Sequence, residues 1–192
     1  DLYEPGGTGS KGFAAPEASG AFDCFVQPVR DTDSGAVLLT WLIADALFPW
    51  DQTASLNHFR IMNPDGSFKT PIKKIPKTQT FQTEPLTVYL ASEKRYLLVC
   101  PEYEDVGDLS LRRFNYRGQL WGFYLNAKGA FETKGGAPGA SPIALTPLFK
   151  DAKLGLRLAA LAGPARDGSL FIAYELEVNN TRNADAWGLI YK

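Results

Sequence analysis

The chain predicts an all-β protein: an antiparallel β-sandwich of the jelly-roll or Ig-like type, with roughly nine or ten strands and a flexible N-terminal arm. Three observations lead there. Short runs rich in Val, Ile, Leu, Phe and Tyr recur along the chain, each closed by Gly, Pro, Asn, Asp or Ser. In "LFIAYELEV", Leu170, Ile172, Tyr174, Leu176 and Val178 fall on one face and Phe171, Ala173, Glu175 and Glu177 on the other, the period of a strand with one solvated side. The Leu- and Ala-rich stretch before it, "KLGLRLAAL", also runs with period two: Leu154, Leu156 and Leu158 alternate with Gly155, Arg157 and Ala159. A helix there would carry Gly155 in its interior at a cost of about 1 kcal/mol relative to Ala. Lys153 to Val178 therefore reads as a hairpin.

The elements follow in order. Residues 1–20, "DLYEPGGTGSKGFAAPEASG", lack apolar periodicity and read as a Gly/Ser/Pro-rich arm, with one domain over 21–192. "AFDCFVQPVR" is a strand candidate that Pro28 places at a sheet edge. "DTDSG" (Asp31 to Gly35) is a turn, because Asp and Ser accept local backbone hydrogen bonds and Gly takes positive φ. "AVLLTWLIA" (Ala36 to Ala44) is apolar on both faces and reads as a doubly buried strand. "NPDG" (Asn63 to Gly66) supplies Pro and Gly at hairpin-turn positions, and "KTPIKKIPK" reads as an edge strand whose lysines discourage sheet-to-sheet association. "ASEK", "YRG" and "NAKG" read as further turns, and "AWGLIYK" as the last strand. "ETKGGAPGASP" (Glu132 to Pro142) is the one internal break in composition, either a surface loop or a divider of two subdomains.

Composition narrows the functional classes. Of the 192 residues 45% are hydrophobic and 21% charged, an ordinary globular balance. The net charge is −1, from 20 basic and 21 acidic side chains, without the basic excess that phosphate neutralisation demands, so nucleic acid is not an expected partner. The longest apolar run, Ala36 to Phe48, is interrupted by Asp45 and falls short of the about 20 residues of a transmembrane helix. Cys24 and Cys100 each lie in an apolar segment and read as two buried thiols, or as one disulfide closing a long loop between sheets. A disulfide would place the chain outside the cytoplasm. A start at Asp1 and the loose first segment lean the same way, toward a secreted, periplasmic or cell-surface protein.

Catalytic constellations are scarce. The single histidine, His58, opens a strand and reads as a surface or strand-end residue; a nucleophilic triad would need it beside a serine or cysteine, and no "GxSxG" elbow is present. One His and two scattered Cys cannot supply the clustered ligands of a zinc site. "EYEDVGD" offers Glu102, Glu104, Asp105 and Asp108 as hard oxygen ligands, the one expectation of a bound ion, calcium; no other cofactor is expected. A glycoside hydrolase needs two facing carboxylates, which pairs such as Glu175 with Glu177 or Glu102 with Glu104 could supply only if burial raised one of them.

Aromatic residues carry the remaining signal. Trp41 and Phe25 read as core. Trp50 with Asp51, Trp121 with Tyr124, and Trp187 lie where a ring could stack on an apolar sugar face while polar neighbours take hydroxyls. Two functions follow: a non-catalytic protein that engages a protein partner or copies of itself, and, as the alternative, a carbohydrate-binding module.

Overall fold

A computed structural model of the chain describes residues 21–45, 56–78, 81–105, 116–149, 157–165, 167–177 and 184–192. The expected arm at 1–20 lies outside them, as do Trp50, Asp51 and Asp108, and the side chains of Cys24, Phe25 and Asp105 are likewise not described. β1 (Ala21–Arg30) and β2 (Val37–Asp45) flank the "DTDSG" turn. There the Asp31 carboxylate accepts the N–H groups of Asp33 and Ser34 and the Ser34 hydroxyl, while Gly35 takes φ 76°. β3 (Leu56–Met62) runs into the "NPDG" turn, closed by Gly66 N–H to the Asn63 carbonyl at 3.0 Å. β4 (Lys73–Lys74) is the expected lysine-bearing edge.

β5 (Phe81–Gln82) and β6 (Leu86–Leu90) both pair with β7 (Arg95–Asp105), β6 through the "ASEK" turn. Pro101 of β7 falls between the last β6 partner, at Val99, and the first β5 partner, at Glu102. A residue without N–H belongs at such a break in the ladder. β8 (Tyr116–Asn126) pairs with all eleven residues of β7. The turn expected at "YRG" is corrected: Tyr116 to Gly118 open β8. Gly118 serves as a point of close backbone approach, exchanging two hydrogen bonds with Phe149. β9 (Phe131–Glu132) follows the "NAKG" turn, and β10 (Ile143–Ala144) follows the Gly-rich segment. Both pair with β8, so that segment joins two strands of one sheet. β11 (Arg157–Ala162), β12 (Leu170–Glu177) and β13 (Ala184–Tyr191) complete the set. The part of Lys153–Leu161 that is described, residues 157–161, is strand, with a bulge between Leu158 and Ala160.

All the pairings are antiparallel, no helix occurs among the described residues, and the all-β reading holds. Hence no helix there is long and apolar enough to cross a membrane. The strands form three open sheets: β1-β2-β3-β4; a central sheet of β5 to β10 built on β7 and β8; and β11-β12-β13.

Alternation along the central strands places two apolar clusters on opposite faces of one sheet. Leu97, Val99, Tyr103, Leu120 and Tyr124 face a cluster completed by Leu170, Ile172, Tyr174 and Leu176 of the third sheet. Tyr96, Leu98, Cys100, Phe123 and Leu125 face the other, completed by Leu38, Phe59 and Ile61 of the first sheet and by Ile75. The central sheet is thus buried on both sides. Its strands read as unbroken apolar runs for that reason.

Candidate functional site

The sequence-predicted residues separate once placed. Tyr124, one of the expected ligand contacts, lies in the core. It is buried in the third-sheet cluster, lies under the Arg95 guanidinium at 3.8 Å from the ring centroid, and shares a 3.2 Å hydroxyl contact with Tyr191. Burial, first, and the Tyr191 hydroxyl push its phenol well above the ordinary range. Trp121 is half-buried against the opposite cluster, and its indole N–H is buried without an acceptor among the described residues. Trp187 is 52% exposed on β13. Trp121 and Trp187 belong to different sheets, and the double-sided core of β7 and β8 lies between the clusters they face. Among the described residues, the Trp121 and Trp187 rings do not converge.

The acidic stretch separates in the same way. Glu102 is fully buried, and its carboxylate accepts the Thr78 N–H at 2.7 Å, the Thr78 hydroxyl, and the Gln82 side-chain N–H at 2.7 Å. Gln82 in turn accepts the Asn57 N–H at 2.9 Å, and Asn57 donates to the Thr83 carbonyl at 2.9 Å. These bonds fasten β3 of the first sheet to β5 and β7 of the central one. Glu104 is exposed beside Arg117, with 3.9 Å between charged atoms. Glu102, one of the expected calcium ligands, thus serves as a latch between sheets. Among the described residues no cluster of three or more His, Cys, Asp or Glu could hold an ion.

Cys100 is a free, buried thiol next to this latch, so the Cys24–Cys100 bridge is not formed in this structure. Burial, then the Glu102 charge, push its pKa well above the usual thiol value despite a hydrogen bond from Asn57. His58 is also corrected. It is buried on β3, stacks on Trp41 with centroids 6.0 Å apart, and places Nδ1 2.9 Å from the Leu56 carbonyl, to which it donates.

What the structure brings together instead is the third sheet. Strand register puts Leu170, Ile172 and Tyr174 opposite Tyr191, Leu189 and Trp187 on the core-facing side. The other side carries Phe171, Ala173 and Glu175 opposite Ile190, Gly188 and Ala186, with Ala160 across from Ala173. Phe171 is 49% exposed and Ile190 69% exposed, the two largest apolar side chains on that outer face. The Phe171 ring covers Gly188 so closely that a Cβ there would meet it at 2.8 Å. Sequence alternation assigned Phe171 and Ala173 to the solvated side of β12; Ile190 joins them only through register with β13. No protein-family model and no curated protein matches the chain.

Proposed function

We propose that the chain is a non-catalytic interaction module, a layered β-sandwich of exported or surface type, whose third sheet engages another protein or further copies of itself. The observation that carries this reading is the outer face of β11–β13, where Phe171 and Ile190 stand exposed among Ala160, Ala173, Ala186 and Gly188. A contiguous apolar face at the surface of a folded protein marks a contact site, whereas single exposed apolar residues do not. Support for a non-catalytic role comes from the carboxylates: Glu102 faces the interior among hydrogen-bond donors, Glu104 lies beside Arg117, and Glu175 points outward from the third sheet. None of these three faces another across a groove, as hydrolysis of a glycoside requires.

Two fluorescence measurements test the reading. An apolar dye that lights up on exposed hydrophobic surface should bind the native chain and lose most of that signal in a Phe171→Ser, Ile190→Ser double variant. Titrating a glycan panel while following Trp emission should give no saturable change. A saturable response that Trp187→Ala abolishes would replace this reading with the carbohydrate-binding one.

A further inference from the structure

Each sheet in this molecule has to manage its edges, because an unpaired strand presents a row of free N–H and C=O groups to any other chain. Most edges are protected. β1 carries Pro28 and a bulge between Cys24 and Gln27. β4 is two residues long and both are lysines. β5, β9 and β10, on the central sheet, are two residues each. β11 is broken by a bulge between Leu158 and Ala160.

β6, paired only with β7, is buried from Thr87 to Leu90. β13 is left as the longest exposed and unguarded edge among the described strands. It pairs with β12 over eight residues without a register shift, and among the described residues nothing pairs with its other side. The strand contains neither Pro nor Lys. It also holds two of the most exposed large apolar side chains, Trp187 and Ile190. Trp187 lies on the core-facing row, opposite Tyr174, and is half-exposed on a strand that no other described strand flanks on its far side.

We propose that β13 pairs antiparallel with β13 of a second copy of this chain, across a two-fold axis at Gly188; this rests on the third sheet being the interaction surface. The sequence "ADAWGLIYK" is self-complementary in that register. Trp187 falls opposite Leu189 of the other copy on the core-facing side, and Ala186 falls opposite Ile190 on the outer side. A small residue thus meets a large one, and the half-exposed indole is covered. Two three-stranded sheets become one six-stranded sheet, and both open edges disappear.

Light scattering on the full chain, from low concentration to about 100 μM, gives the first readout. The expected mass is twice 21.0 kDa. Ala186→Lys and Trp187→Lys place a charge on the edge and should each return the mass to 21.0 kDa with unchanged circular dichroism. In a Cys24→Ser background, Ala186→Cys with Ile190→Cys should give a covalent dimer under oxidation that a reductant dissolves, because those positions meet only between copies. A mass of 21.0 kDa at every concentration would overturn the pairing while leaving the third sheet free to bind a different protein. A doubled mass that both lysine variants leave unchanged would overturn it too, showing that the copies meet through another surface.

Discussion

The first and third sheets lie on opposite faces of the same central sheet, yet the two are held differently. The first is tied down by polar bonds as well as apolar contact. Glu102, Gln82 and Asn57 join β7, β5 and β3; Tyr89 of β6 donates to Asp33 in the β1–β2 turn at 2.9 Å; and Lys73 of β4 donates to the Gly129 carbonyl at 2.7 Å. Even the side of β2 turned away from the central sheet is buried, at Leu39 and Trp41. The third sheet rests mainly on apolar packing, with the Tyr124–Tyr191 hydroxyl contact and a Lys134 bond to the Lys192 carbonyl at its margin. Its outer side is open. A sheet with guarded edges and two covered faces serves structure, and one with an exposed apolar face and an unguarded edge is free to serve contact.

Among the polar contacts, breaking the latch on the first sheet is expected to have the largest effect. Glu102→Ala removes the charged acceptor of three hydrogen bonds, two from Thr78 at the surface and one from Gln82, whose side-chain donor is left buried and unpaired; hydrogen bonds to a charged group are worth about 1.5–3 kcal/mol. A total loss of about 3–4 kcal/mol in chemical denaturation is expected. Amide exchange should speed up at Thr78 well before it does in β12. Equal loss of protection in both sheets would show that the latch is not local to the first.

Asp31, at the other end of that sheet, gives a smaller effect with a pH signature. Burial raises its pKa, but the Ser34 hydroxyl and the N–H groups of Asp33 and Ser34 outweigh it, and the carboxyl ends below its ordinary value. A carboxyl depressed in the folded state stabilises the fold above its unfolded pKa, about 3.9, and loses that contribution as pH falls through the folded value. Asp31→Ala should therefore cost about 2 kcal/mol at pH 7, as expected for hydrogen bonds to a charged group. The gap to the parent chain should close below about pH 4. A gap that stays constant down to acid pH would assign the loss to the turn's backbone instead of to its charge.

These two sites also show how far local chemistry can be read in one dimension. The Asp31 turn was legible because its donors and acceptor lie within three residues, and the same holds for "NPDG" and "NAKG". Gly118 was misread as a turn because a glycine that admits a neighbouring backbone looks, in sequence, like one that admits positive φ. The Glu102 latch draws on Thr78 and Gln82, 24 and 20 residues away, and no spacing rule links those positions. In sequence Tyr124 and Trp121 look available for ligand contact because period two says which residues share a face of a strand, not whether a second sheet covers it. On β7 and β8 both faces are covered, the polar alternation vanishes, and Tyr96, Tyr103, Phe123 and Tyr124 become core. Trp187, on the edge strand β13, escapes that fate.

The smallest effect sharpens the contrast from the other side. Phe171 is as large as the core phenylalanines Phe59 and Phe123, but half its surface remains in water and its main service to the fold is to cover Gly188 from the neighbouring strand. Such a cross-strand contact is worth roughly 0.2–1 kcal/mol, against about 3–5 kcal/mol for truncating a fully buried phenylalanine such as Phe123. Phe171→Ala should thus lower the denaturation midpoint only slightly, whereas Phe123→Ala should lower it severely. A Phe171→Ala loss of Phe123 size would mean that the outer face of the third sheet is already covered within a single chain, and a covered face could not be the one that meets a partner.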